Sequence, residues 1–162
     1  MKKKEGNQKI LGAKTISYDG IEFKSEFEWK CYLLLKDSGL PFGYEKYRCV
    51  LMPGFKDDNV HELSWNKKKK MFDDKPMKRT QDMTYTPDFV VELENEVIYI
   101  EAKGYPNDRF PMKHKLFLKY LSVLSQANGK KYSYVIVKTL MQIQDIIKQL
   151  KERSGLHSDK RQ

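Results

Sequence analysis

Cysteine and histidine are scarce. Cys31 and Cys49 are the only cysteines, and His61, His114 and His157 are scattered singly through 162 residues. None stands at the spacing that thiolate and imidazole ligands need around zinc, so a zinc site has little support. Two thiols do not make a disulfide framework, and they read as buried side chains in a reducing compartment. Long apolar runs are missing too. Nothing approaches the ~20 residues that cross a bilayer, so no membrane is expected. The start, Met1-Lys2-Lys3-Lys4-Glu5-Gly6, has basic residues but no apolar segment behind them. It does not read as a secretory signal, and a cytoplasmic place of action is expected. No small-molecule organic cofactor is expected either.

What is abundant is lysine. The formal net charge is +9 and the pI is near 9.4. Such a balance favours a polyanionic partner, with nucleic acid ahead of a membrane surface. The length suits one domain with a substantial core, and no internal repeat divides it. The expected layout is a single domain over 1–162. It has a basic arm at 1–14, a long basic insertion or hairpin at 55–82 and a polar tail at 152–162. The arm reads equally as a frayed terminus or as a phosphate grip.

Thr15 to Phe23 contains the turn signal Tyr18-Asp19-Gly20 and reads as a short extended piece or hairpin. Ser25-Glu26-Phe27-Glu28 fits a capping box, in which the Glu28 carboxylate reaches back to the Ser25 amide. The helix it opens should run to about Asp37-Ser38 and stop at Gly39. Cys31, Tyr32 and Leu35 form its core stripe, and Glu28 lies four and seven residues before Tyr32 and Leu35. Two roles therefore compete for Glu28: a cap, or a carboxylate carried along the buried face toward other acids.

Tyr44 to Met52 reads as one strand ending at Pro53-Gly54. Within 55–82, His61 to Trp65 is a candidate short strand and Lys67, Lys68, Lys69 and Lys70 form an unbroken basic run. A solvated loop and a flap that contacts phosphates are both open readings. After Gly104-Tyr105-Pro106, with Asn107 or Asp108 as candidate cap, a helix is expected from about Arg109 to Gln126. Phe117, Tyr120, Leu121 and Leu124 are its apolar face, and Lys113, Lys115 and Lys119 are basic positions on it. Tyr132 to Lys138 reads as a buried strand. Thr139 then caps a last helix with Ile143, Ile146, Ile147 and Leu150 inward. The order is helix, three strands, helix, strand, helix, a mixed α/β domain with a central sheet flanked by helices.

The chemistry concentrates in Tyr85-Thr86-Pro87-Asp88-Phe89-Val90-Val91-Glu92-Leu93 and Val97-Ile98-Tyr99-Ile100-Glu101-Ala102-Lys103-Gly104. These are two consecutive strands joined by an acidic turn. Side chains alternate along a strand, so Glu101 and Lys103 share one face while Ile98, Ile100 and Ala102 take the other. Carboxylates from neighbouring strands offer the oxygen ligands that Mg²⁺ prefers. A lysine beside them can orient the attacking water or stabilise charge on a phosphoryl group. The plain alternative is an exposed Glu–Lys pair worth about 0–1 kcal/mol.

At these residues the chain resembles the PD-(D/E)XK nuclease superfamily. Pro87-Asp88 matches PD, and Glu101-Ala102-Lys103 matches (D/E)XK, with twelve residues between Asp88 and Glu101. It is also similar to a small phage-encoded endonuclease subgroup. The shared runs are Gly20-Ile21-Glu22-Phe23-Lys24-Ser25-Glu26-Phe27-Glu28, Tyr85-Thr86-Pro87-Asp88-Phe89 and Glu101-Ala102-Lys103-Gly104, followed by the basic Lys113-His114-Lys115-Leu116-Phe117. The likeness spans roughly 18–138, and the length of 55–82 departs from it.

The resemblance implies a restriction-endonuclease-like core, α-β-β-β-α-β, and a divalent-metal-dependent DNA endonuclease acting in a host cytoplasm. Branched DNA is an attractive substrate. Asp88, Glu101 and the Ala102 carbonyl would hold Mg²⁺, with Mn²⁺ as substitute, and Lys103 would be the catalytic lysine. Glu28 would act through a water, a second metal or Lys103. Lys113, Lys115 and Lys119 on the helix, and Lys67 to Lys70 in the insertion, would contact DNA. Amides at the helix start after Gly104 would add anion donors. A homodimer follows by analogy, since one site cuts one strand. The competing readings are a non-catalytic nucleic-acid-binding module, the strand-cutting subunit of a transposase, and a protein-interaction adaptor.

Overall fold

The computed structural model describes residues 15–103 and 110–155. The arm at 1–14, residues 104–109 with the expected Asn107 or Asp108 cap, helix-start amides and Arg109 helix start, and residues 156–162 lie outside the described residues.

The chain opens with β1 (Ile16–Tyr18) and β2 (Ile21–Phe23), an antiparallel hairpin. Its turn residues Asp19 and Gly20 both sit at positive φ, 59° and 75°, the geometry whose twist matches paired strands. The first helix, α1 (Glu26–Ser38), starts and stops where the pattern predicts. The Ser25 Oγ accepts from the Glu28 amide at 3.1 Å, and Gly39 closes the helix at φ 72°. Cys31, Tyr32 and Leu35 are buried. One detail of the cap differs. The Glu28 carboxylate accepts from the Lys24 amide at 3.3 Å and the Ser25 hydroxyl at 3.0 Å.

The strand expected over Tyr44–Met52 is two pieces, β3 (Phe42–Tyr44) and β4 (Cys49–Met52). Next come β5 (His61–Asn66) and β6 (Met71–Pro76), paired antiparallel with Lys67–Lys70 as their turn. The returning chain is broken at the same level as the outgoing one, into β7 (Met83–Tyr85) and β8 (Phe89–Glu92). Thus β3 pairs with β8, and β4 pairs with β7, each antiparallel. The interruption has local causes. Glu45 takes a positive φ of 43°, and Pro87 has no amide to donate.

Strand β9 (Glu96–Ala102) lies between β8, antiparallel, and β10 (Lys131–Val137), parallel. The result is a mixed four-stranded sheet in the order β10-β9-β8-β3. A parallel neighbour needs a crossover, and α2 (Phe110–Asn128) lies in it. The last helix, α3 (Leu140–Ser154), is capped by Thr139 and ends at Gly155. It therefore runs three residues into the span expected as a polar tail, and Arg153 reaches back to Glu96 at 3.2 Å.

Alternation on the sheet divides the core in two. Phe89, Val91, Ile98, Ile100 and Ala102 pack with Leu35 of α1 and Ile143 and Leu150 of α3. Val90, Val97 and Tyr99 pack with Phe117 and Leu121 of α2. Each large apolar side chain so buried stabilises the fold by roughly 1.5–3 kcal/mol. The domain is mixed α/β, with a mixed sheet and three helices among the described residues. Among those residues no helix is long and apolar enough to cross a membrane.

Candidate active site

Asp88 occupies the break in the ladder. The last β8–β9 pair at that end is Phe89 with Ile100, so the Ala102 amide lies beyond it. The Asp88 Oδ2 accepts that amide at 2.7 Å, and the Asp88 carbonyl accepts from the Glu45 amide at 2.8 Å. The two bonds fix the carboxylate beside the end of β9.

Glu101 is 8% exposed. Its Oε2 accepts from the Tyr85 hydroxyl at 2.5 Å, and that hydroxyl is 2.8 Å from the Tyr134 hydroxyl. The Lys103 Nζ lies 3.6 Å from the Glu101 Oε1, an ion-pair separation longer than a hydrogen bond. The Lys103 amide donates to the Val137 carbonyl at 2.9 Å, so strand-like pairing with β10 continues past Ala102. Glu101 and Lys103 share a face as alternation predicts, and their side chains are only 11% and 17% exposed. That burial sets them apart from a solvated surface pair.

Glu28 comes from the other side of the sheet. Its Oε2 also accepts from the Tyr44 hydroxyl at 3.0 Å, and Tyr44 packs into the α1–α3 core. The charges of Glu101 and Glu28 both reach Asp88. Its carboxyl is pushed up to about 8, first by burial, then by the Glu101 charge and then by that of Glu28. The Ala102 amide and Lys24 pull it the other way. Burial, Asp88 and Glu28 together push the Cys31 thiol up to about 12, which makes it inert as a nucleophile. Burial and the neighbouring acids likewise raise Tyr44, Tyr85 and Tyr134. These phenols stay neutral donors that satisfy oxygen lone pairs without cancelling charge.

Asp88, Glu101 and Lys103 are therefore brought together. Glu28 acts on Asp88 through its charge but does not complete a cluster. Among the described residues no three His, Cys, Asp or Glu side chains are placed to share one metal ion. Two carboxylates with a backbone carbonyl suit Mg²⁺, which keeps several of its waters and commonly takes only one or two carboxylates. The excess of buried negative charge around Asp88 is what a bound cation would offset.

The helix that carries Lys113, Lys115 and Lys119 approaches the same side. The His114 ring lies 5.3 Å from the ring of Tyr134, tilted at 48° to it; Tyr134 is the second member of the hydroxyl chain to Glu101. Lys113 is half-buried, and Lys115 and Lys119 are exposed. Lys67 to Lys70 do not join the acids; they stand at the tip of the β5–β6 ribbon. Four participants were not anticipated: Lys24, Tyr44, Tyr85 and Tyr134. Tyr85 carried a usable signal, since a buried tyrosine three residues from an acid needs a partner for its hydroxyl.

Residues 8–136 match the profile of the family described as a protein of unknown function, DUF1064. The chain belongs to that family. No curated protein matches it. Among solved structures it is similar to the small subunit of the heterodimeric restriction endonuclease R.BspD6I, at 18% identity and a TM-score of 0.32. The match covers 68% of this chain and 47% of that one, so the DUF1064 chain spans about half the length of that subunit. So loose a superposition carries over neither structural detail nor activity.

Proposed function

We propose that the chain is a divalent-metal-dependent endonuclease that hydrolyses phosphodiester bonds in DNA. The observation that carries this is Asp88, fixed by the Ala102 amide at 2.7 Å beside the end of β9, with its carboxyl pushed up to about 8 by burial and the charges of Glu101 and Glu28, and with Lys103 beside Glu101. Burying like charges is costly unless a cation joins them. Asp88, Glu101 and the Ala102 carbonyl would hold Mg²⁺ or Mn²⁺. Such an ion supplies Lewis-acid polarisation of a phosphoryl oxygen and a more acidic bound water.

The chain's own groups do the rest. Tyr85 fixes the Glu101 carboxylate. Lys103 presents a cation to the scissile phosphate or to the attacking water. Glu28, held by Ser25 and Tyr44, orders the far side of Asp88. Lys113, Lys115 and Lys119 neutralise backbone phosphates. The order α1, β3, β8, β9, α2, β10 supports a restriction-endonuclease-like core. A phage source and a branched substrate remain expectations of the family resemblance. A homodimer gains no support from the described residues.

One observation favours a second reading, a non-catalytic nucleic-acid-binding module. It is the lack, among the described residues, of a three-ligand cluster. The two are separated by a cleavage panel of linear duplex, single strand, flap and four-way junction, with and without Mg²⁺. Wild type is expected to cut at least one form only with the ion. Asp88→Asn, Glu101→Ala and Lys103→Ala should lose cleavage and keep most of their DNA affinity. Binding without cleavage of any form in Mg²⁺ or Mn²⁺ establishes the module instead.

A further inference from the structure

The β5–β6 ribbon carries side chains for which the fold has no use. Register and alternation put His61, Leu63, Trp65, Phe72, Asp74 and Pro76 on one face, with His61 and Asp74 paired to each other at 2.6 Å. Leu63, Trp65 and Phe72 are 65%, 54% and 57% exposed. Trp65 and Phe72 oppose each other across the ladder as a T-shaped pair, with centroids 5.2 Å apart and planes at 69°. A two-stranded ribbon is marginal in water by itself, and its largest apolar groups would ordinarily be covered.

The tip beside this pair is a shaped turn. The Asn66 Oδ1 accepts from the amides of Lys68 and Lys69 at 3.0 and 3.2 Å, and the Asn66 Nδ2 donates to Asp73 at 2.8 Å. Lys70 closes the turn at φ 52°. Lys69 pairs with Asp73 at 3.1 Å. Among the described residues, Lys67, Lys68 and Lys70 have no carboxylate partner. The root is clamped as well. The Gly54 amide donates to Asp82 at 2.7 Å, and the Phe55 amide to the Thr80 hydroxyl at 2.9 Å. A Cβ on Gly54 would meet the Thr80 carbonyl at 2.3 Å, so only glycine allows the two crossing chains to come this close.

We propose that this ribbon grips nucleic acid where bases are unpaired. Trp65 and Phe72 stack on exposed base faces while the tip lysines neutralise the adjacent phosphates. A basic tip beside an aromatic pair matches a polyanion whose bases are accessible, and an apolar protein surface would leave the lysines uncompensated. Duplex DNA offers base faces only at ends and breaks, and its grooves are read mainly by polar side chains. Stacking on aromatics with basic tracking of the backbone is how single strands are held. The inference rests on the DNA reading above and names the part of the substrate gripped: a gap, flap or branch.

The test uses the full chain carrying Glu101→Gln, in EDTA, so that cleavage does not enter. It is titrated with a single-stranded oligonucleotide, a duplex of the same sequence and a four-way junction. Single strand is expected to quench tryptophan fluorescence, and Trp65→Phe should abolish the quench while Trp29 still reports folding. Trp65→Ala with Phe72→Ala should weaken single-strand and junction binding about tenfold or more, leaving duplex affinity within about twofold. Alanine at Lys67, Lys68 and Lys70 should weaken every form and flatten the salt dependence.

Tight binding without a quench, or equal loss on all three DNA forms from the Trp65→Ala, Phe72→Ala variant, overturns the proposal. So does a wild-type dimer that the Trp65/Phe72 variant converts to monomer, since a second copy is then the occupant. A quench that persists when wild type cuts nothing in Mg²⁺ keeps the ribbon and removes the nuclease. Metal-dependent cleavage that is indifferent to Trp65 and Phe72 does the reverse.

Discussion

Two glutamates stand at opposite ends of β9, and each is 8% exposed. Glu96 is surrounded by compensation. The Ser133 hydroxyl donates to it at 2.7 Å, Lys131 pairs at 2.9 Å and Arg153 at 3.2 Å. Burial works to raise its carboxyl, yet Ser133, Lys131 and Arg153 hold it below the ordinary glutamate value. Among the described residues, Glu101 has one cation at 3.6 Å, a neutral phenol, and Asp88 as a like-charged neighbour. Burial of a carboxylate is common to both ends, so burial alone says nothing about function. Uncompensated charge distinguishes them, and it is felt at Asp88, whose raised carboxyl is the kind of perturbation that gathers at functional sites.

The largest contrast should be in activity. Glu101→Gln is expected to lower Mg²⁺-dependent cleavage by about 10²–10⁴-fold, the range for removing a group that acts on the reacting centre. Glu96→Gln should leave cleavage within about twofold, assayed well below its melting temperature. Similar losses from the two substitutions would remove the distinction between the ends and the site assignment with it.

The intermediate contrast is in stability and its pH dependence. Glu96→Ala removes a satisfied buried carboxylate. Because Lys131 and Arg153 are 64% and 45% exposed, they regain water, and the cost is expected near 1–3 kcal/mol. The melting temperature should fall by about 2–4 °C per kcal/mol. The folded Glu96 value lies below its ordinary value of 4.5, so its stabilisation is present above that pH and is lost on acidification. Asp88 behaves oppositely. Between its ordinary value of 3.8 and about 8, the folded chain keeps a proton that the unfolded chain has released. Stability therefore falls as pH rises across that window. Melting in EDTA from pH 4 to 9 should show Asp88→Asn flattening the alkaline limb and Glu96→Gln the acid limb. Added Mg²⁺ should stabilise wild type at pH 8 and leave Asp88→Asn much less affected. An Asp88→Asn protein with the wild-type alkaline slope would show that its charge is compensated after all.

The two ends were unequally legible in the sequence. The shared face of Glu101 and Lys103 follows from a period of two. Ser25, Gly39 and Thr139 mark helix boundaries by local chemistry, which needs no tertiary information. Glu28 could be placed on the buried face of α1 but not relative to Asp88, because that depends on where β3 ends. The strand expected over Tyr44–Met52 hid the most consequential feature, the break at Glu45 and Asp88. Pro87 was the available warning, since a missing amide cannot continue a ladder. Tyr134 was out of reach altogether. It meets Tyr85 only through the register of β10 on β9, which no local pattern encodes.

The smallest contrast concerns those hydroxyls. Tyr85 donates to Glu101, so the Tyr134 hydroxyl, 2.8 Å away, is left to donate to the Tyr85 oxygen. Tyr85→Phe strips Glu101 of its neutral donor and frees the carboxylate to turn. By analogy with groups that orient metal ligands, the expected loss is about 10–100-fold in cleavage or in metal affinity. Tyr134→Phe leaves the Tyr85–Glu101 bond in place and removes only its polarisation, for which about two- to fivefold is expected. At the other end, Ser133→Ala removes the hydroxyl nearest Glu96. It should cost about 1 kcal/mol of stability with no change in cleavage. The order Tyr85, Tyr134, Ser133 in Mg²⁺-dependence of rate therefore measures how far each hydroxyl stands from the reacting centre. A Tyr134→Phe loss equal to that of Tyr85→Phe would mean that the two phenols act as one unit and that Tyr134, on β10, touches the substrate itself.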